Sequence, residues 1–95
     1  MACFILGEVA LGKTLDKVNA DYYINKQSLT KQGCHSTKGM GRYIPSNQVT
    51  IDNVIIPQGP IKDTKKQMSL LYNEYIVYDI SQILIRYLVV TKNVK

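Results

Sequence analysis

The sequence predicts an α+β fold, mostly antiparallel β-sheet with one short helix, and three observations support this. Residues 3–10, 70–78 and 83–91 are apolar runs rich in β-branched or aromatic side chains, the composition of strands. Asp52 and Asn53 lie between β-branched stretches, as the two-residue turn of a hairpin does. Only one short stretch, behind Thr14, reads as helix.

Taken in order, residues 3–10 form a strand that is apolar except for Glu8 and stops before Gly12. Thr14 caps a helix over residues 15–19, with Leu15 and Val18 on one side and Tyr22 beyond. Residues 26–42 are mostly loop, rich in Lys, Gln, Ser and Thr and punctuated by Gly33, Gly39 and Gly41. Residues 48–56 form the hairpin, which Pro57, Gly59 and Pro60 stop, and residues 58–68 form a second loop. Residues 70–78 and 83–91 are the two strongest strands. Asp79, Ser81 and Gln82 connect them, so they are expected to pair or run adjacent. There is no internal repeat and no linker, so residues 1–95 form a single domain.

Composition excludes several classes. A chain of 95 residues buries only about two-thirds of its unfolded surface, so its core is small. Hydrophobic content of 45% argues against disorder. No apolar run approaches the ~20 residues of a membrane-spanning helix, and M-A-C-F-I-L has neither the basic start nor the small-residue cleavage site of a secretory signal. Cys3 and Cys34 are too few for a disulfide framework, and no Cys/His cluster has zinc spacing, so no metal is expected. A reducing compartment, nucleus or cytoplasm, fits two thiols. The net charge of +5 is scattered apart from Lys62, Lys65 and Lys66, which Asp63 interrupts. That is a solubilising surface rather than a nucleic-acid groove.

The stretch L-L-Y-N-E-Y-I-V-Y-D at residues 70–79 carries the chemistry. Glu74 is a single carboxylate in an apolar, aromatic strand, where a charge is costly unless it is used or paired. Alternation puts Tyr72, Glu74, Ile76 and Tyr78 on one face and Asn73, Tyr75, Val77 and Asp79 on the other. Glu74 is therefore expected between a tyrosine and an isoleucine, rigid and partly dry. The plainer alternative is a solvated glutamate on the polar face of an antiparallel sheet.

Three blocks in order give that stretch a context: L-G-E-V-A-L-G at residues 6–12, H-S-T-K-G-M-G-R at 35–42, and S-L-L-Y-N-E-Y-I-V-Y-D-I at 69–80. Together they resemble the end of the catalytic domain of poly(ADP-ribose) polymerases. The likeness covers nearly the whole chain, and the third block is the most specific. Residues 13–33 are somewhat longer than is usual in that family and residues 43–60 somewhat shorter. Cys34 stands where the family has Lys before His-Ser.

The resemblance implies the C-terminal portion of an ADP-ribosyltransferase fold, a single partial catalytic domain. Such enzymes break the nicotinamide–ribose bond of NAD, their substrate, and pass ADP-ribose to protein acceptor side chains or a growing polymer. Their signature is a His, a Tyr and a Glu on separate strands, and Glu74 occupies the Glu position. A fixed anion beside the oxocarbenium-like ribose stabilises the transition state more than the ground state. The carboxylate also suits orienting or deprotonating an acceptor. Leu71, Tyr72 and Asn73 are implied neighbours of the NAD site, with core packing as the alternative for Leu71 and Tyr72. Ser36 and Lys38 are implied at its mouth. The family's His and stacking Tyr lie upstream of the first block. His35 follows that block and cannot replace the His.

The expectation is thus a catalytic-domain fragment with little or no transfer on its own, because an anion without a held ribose does nothing. A second reading is a non-enzymatic interaction module or decoy. Its exposed sheet edges would pair with a separate N-terminal half, another copy or a complete polymerase. A third, a small basic nucleic-acid binder, lacks aromatic residues at stacking spacing.

Overall fold

The structure is a computed structural model that describes residues 1–92. Its strands are β1 (Ala2–Val9), β2 (Thr14–Lys17), β3 (Ser36–Gly39), β4 (Gly41–Ile51), β5 (Val54–Asp63), β6 (Leu70–Tyr72), β7 (Glu74–Val77) and β8 (Ile83–Thr91). One helix, α1 (Lys26–Lys31), follows β2, and a 3-10 turn (Ile80–Gln82) precedes β8. The strands form three small sheets, ordered β1-β8, β2-β3-β7 and β5-β4-β6. Three of the five pairings are antiparallel; β2 with β3 and β4 with β6 are parallel. The α+β class with antiparallel sheet dominant is what the sequence predicts.

The strand at the N-terminus and the last strand lie where expected, but they pair with each other. Residues 70–78 and 83–91 do not pair: β7 pairs with β3 and β8 with β1. The connection explains this. Asp79 caps the 3-10 turn, accepting from the Ser81 amide, and Gln82 returns its side chain to the Asp79 amide. The turn sends β8 away from β7, and the Gln82 amide side chain ties it to Ala10 and His35 carbonyls (2.9 and 3.0 Å).

The helix is not at residues 15–19. Residues 14–17 are instead β2, parallel to β3, and the Thr14 hydroxyl bonds Asp16 rather than a helix amide. Residues 26–31, expected as loop, are helical instead, because Asn25 and Ser28 form a reciprocal capping box. Leu29, 2% exposed, anchors this helix.

The hairpin at Asp52-Asn53 is present, with both φ values positive (50° and 66°) as a type I′ turn requires. It is longer than the sequence suggests, because Pro57, Gly59 and Pro60 do not end it. β5 is an edge strand, where a missing amide hydrogen is tolerated. Gly59 (φ +96°) sits at the register shift between Pro45 and Asn47.

Little is buried. Leu29 and Cys34 are the buried apolar residues among those described, joined by Ser36 and Thr37. The radius of gyration is 15.1 Å, against about 12 Å for a compact chain of this length. The β1–β8 ribbon shows why. On one face Phe4 and Leu6 oppose Val89 and Tyr87; on the other Ile5 opposes Leu88 and Cys3 opposes Val90. Phe4, Ile5, Leu6, Tyr87, Leu88, Val89 and Val90 are all exposed. Strands apolar on both faces are the pattern of a sheet covered on both sides.

Candidate active site

Glu74 begins β7 at a corner where two sheets meet. β3 pairs antiparallel with β7, setting Gly39 opposite Glu74, and β4 pairs parallel with β6, setting Gly41 opposite Leu70. A single residue, Met40, separates β3 from β4, and a single residue, Asn73, separates β6 from β7. Those directions are compatible only if the chain changes direction at one or both of these residues.

Two glycines make that approach possible. A Cβ on Gly41 would lie 2.2 Å from the Tyr72 carbonyl carbon and 2.4 Å from the Asn73 nitrogen, backbone atoms that cannot step aside. A Cβ on Gly39 would meet Leu70 Cδ1 at 2.5 Å and Glu74 Cβ at 3.6 Å. The half-buried Asn73 closes the corner: its Oδ1 accepts from the Gly41 amide at 2.8 Å.

The alternation expected across residues 72–78 breaks at this bend. Glu74, Ile76 and Tyr78 share a face and line one cavity of about 270 Å³. Tyr72 belongs to another sheet, its ring centroid 6.4 Å from that of Tyr43. Glu74 is consequently not sheltered between Tyr72 and Ile76. It is exposed, because β7 is an edge strand and Glu74 is its first residue. Among the described residues no side chain forms an ion pair or hydrogen bond with its carboxylate.

The opposite wall of the cavity is the stretch 17–22 with Ile24. Ser69 fastens it, donating its amide to the Val18 carbonyl (3.1 Å) and its hydroxyl to Asn19 (3.5 Å). Asp21 pairs with Lys17 at 3.3 Å, and the Tyr23 amide followed by Lys17 holds its pKa below the ordinary value. Lys17 and Asp21 thus cancel, leaving Glu74 as the unbalanced charge on the lining. Beneath it the Thr37 and Tyr78 hydroxyls lie 2.9 Å apart, with Thr37 buried.

The other sequence-derived candidates fall in different places. Leu71 and Tyr72 are exposed on β6, contiguous with Asn73 and Glu74. Lys38 opposes Tyr75 in the ladder, on the reverse face from Glu74, with Nζ 5.7 Å from the Tyr75 ring centroid. Ser36 is 0% exposed and its hydroxyl donates to the Leu11 carbonyl at 2.8 Å, beneath the surface. His35 is exposed while its neighbour Cys34 is buried; the His35 Nδ1 accepts from the Lys13 amide. Sequence reasoning passed over Thr37, Asp21 and the paired glycines. A signal existed for the glycines: two of them flanking one residue mark close backbone approach. No group of three or more His, Cys, Asp or Glu side chains among the described residues is placed to hold a metal. Nor is any described helix long and apolar enough to cross a membrane.

A family model described as the poly(ADP-ribose) polymerase catalytic domain matches residues 1–93. The chain is 46% identical over 88 residues to poly [ADP-ribose] polymerase of Drosophila melanogaster, covering 88% of this chain and 8% of that protein. It is 44% identical over 87 residues to poly [ADP-ribose] polymerase 2-A of Oryza sativa subsp. japonica, covering 87% of this chain and 13% of that protein. Identity to poly [ADP-ribose] polymerase 2 of Homo sapiens is 41% over 90 residues, covering 88% of this chain and 15% of that protein. The chain therefore spans less than a sixth of the length of these relatives.

Proposed function

The chain belongs to the poly(ADP-ribose) polymerase catalytic-domain family, and on that premise we propose that it supplies the carboxylate wall of an NAD-dependent ADP-ribosyl transfer site. The observation that carries this reading is Glu74: an unpaired carboxylate at the lip of a cavity, set at a corner where two sheets are bolted together. Placed beside the ribose of NAD, it opposes the positive charge that develops as nicotinamide leaves. It can also draw the proton from the acceptor, a protein side chain. Leu71 and Tyr72 line the approach on the exposed strand before it. Ser36 and Lys38 act from beneath and behind the wall, not at its lip. NAD enters as substrate and no metal is invoked. Free thiols at Cys3 and Cys34 suit a reducing compartment, nuclear or cytoplasmic.

The chain by itself is expected to turn over little or no NAD, since an exposed carboxylate gains nothing until a ribose is held against it. The test is a chimera: the rice relative with its matched 87 residues replaced by this chain. The expected result is ADP-ribosyl transfer from NAD that falls at least ~100-fold in Glu74→Gln, the scale of losing a charge-stabilising group. Transfer undiminished by that substitution removes Glu74 from the mechanism. A silent chimera removes the chain from the enzyme.

The second reading, an interaction module, is favoured by one observation, the β1–β8 ribbon exposed on both faces and both edges. The two readings meet in one prediction: the ribbon is covered wherever the site works. A clean, well-folded monomer on size-exclusion chromatography speaks against this second reading and leaves open only cover by the rest of the catalytic domain.

A further inference from the structure

We infer that Asn73 is a positioning residue, whose side-chain carbonyl, anchored on the Gly41 amide, fixes the corner and thereby sets where Glu74 is aimed. The inference rests on Glu74 being the working carboxylate, and adds to that reading the part that holds it.

The argument starts from connectivity. Asn73 is the single residue between β6 and β7, and those strands lie in different sheets with different partners. β6 is held by only two register pairs, Gly41↔Leu70 and Tyr43↔Tyr72. β7 is held by four, Gly39↔Glu74 among them. A three-residue strand on two pairs is a weak hold on the chain that leads into Glu74. The Asn73–Gly41 bond at 2.8 Å crosses between the two corners themselves. It ties the residue after Met40 to the residue before Glu74, so the two junctions hold each other in place. Gly41 is buried with the Tyr72 and Asn73 backbone filling the space where a Cβ would stand, so a water could replace the bond only by opening that contact. An amide oxygen is suited to this place: it accepts from a backbone N–H without adding a charge one residue from Glu74.

Asn73 was also a candidate for touching NAD, and the two roles separate in an experiment. Amide exchange on the full 95-residue chain reads the anchor directly. Asn73→Ala is expected to lose protection at the Gly41 amide, while Asn73→Asp, which keeps an acceptor oxygen, retains it. In the rice chimera, Asn73→Ala is expected to lower kcat by roughly 10–100-fold, the scale of an ångström of misplacement. KM for NAD should stay within about twofold, as uniform binding is untouched. Gln82→Ala is the control: it removes side-chain bonds to the Ala10 and His35 carbonyls and to the Asp79 amide, far from the corner. It should lower the thermal midpoint at least as much as Asn73→Ala yet keep kcat per folded molecule. Equal loss of kcat in both variants makes Asn73 merely structural, and a raised KM with unchanged kcat makes it a ligand contact; either overturns the inference. Glu74→Gln in the same chimera separates the failures: if that variant keeps full activity, the underlying reading is what has failed.

Discussion

Along β1 and β8 the cross-strand pairs carry apolar side chains that stand in solvent on both faces. At the corner of β3, β4, β6 and β7 the buried positions are a serine, a threonine and a glycine. The ribbon has the composition of a core and is bare; the corner has the composition of a surface loop and is closely built. The difference lies in how each is held. The ribbon relies on area, which stabilises only once something covers it. The corner relies on close backbone contact and directed hydrogen bonds, which act without any cover. The wall that carries Glu74 can thus be formed before the ribbon finds its partner surface.

The strongest way to break this comparison is to put a methyl group where the corner has none. Gly41→Ala drives a Cβ to 2.2 Å from backbone, and the expected cost is about 4 kcal/mol, at the upper end for overpacking. Gly39→Ala clashes with the far end of Leu70, its contacts to Glu74 at 3.6 Å being ordinary ones, and should cost about 1 kcal/mol. Urea midpoints of the two variants check the order. Equal midpoints mean the backbones at the corner are not in contact.

Next comes Leu29, among the described residues the one large apolar side chain buried to 2% exposure. Leu29→Ala should cost about 3 kcal/mol, the middle of the range for a buried leucine. Thermal unfolding checks it; a loss under about 1 kcal/mol would mean that α1 is not the anchor of this half.

How much of this was legible in the sequence depends on what holds each part. The ribbon strands were readable because β-branched runs announce themselves, and the turn at Asp52-Asn53 because few residues tolerate φ above zero. The family blocks singled out Glu74, the carboxylate proposed for the site. The corner was not readable. Alternation along residues 70–78 is a local rule, and the break at Asn73 is imposed by partners more than 30 positions away in sequence, Gly41 among them. Gly39 and Gly41 looked like loop punctuation because a glycine used for close approach is spelled the same as one used for flexibility. The helix was misplaced for a similar reason. Thr14 is a good N-cap type, but β3 offered residues 14–17 a parallel ladder, while the Asn25–Ser28 box stood in a stretch of polar residues that resembles loop.

Asp79 links the two regions, so lowering the pH sharpens the comparison between them. The carboxylate accepts from the Ser81 amide and hydroxyl and pairs with Lys26 of α1 at 3.3 Å, just before β8 begins. Those bonds, the Ser81 amide first, hold its pKa down to about 2 from the ordinary 3.8. A folded-state pKa below the unfolded value means stability that is fully present above the unfolded pKa. It is lost as pH falls toward the folded one. The urea midpoint should therefore decline between about pH 4 and pH 2, and Asp79→Asn should flatten that part of the profile. Parallel profiles for the two proteins would show that Asp79 does not clamp the junction.

The smallest expected effect tests the ribbon. Leu88 is 68% exposed and Ile85 65%, so Leu88→Lys or Ile85→Lys, whose aliphatic stem can cover the same neighbours, removes little buried area from the chain on its own. The unfolding free energy should shift by no more than about 0.5 kcal/mol, as for ordinary surface sites. In the rice chimera the same lysines would have to be desolvated if the ribbon is covered there, and each should cost several kcal/mol or abolish folding. The informative quantity is the difference between the two contexts. A large cost already in the isolated chain would mean that the ribbon is covered by another copy in solution, and dilution should then reduce it. A negligible cost in both contexts would mean that the ribbon stays bare in the working enzyme, and its apolar composition would need another cause.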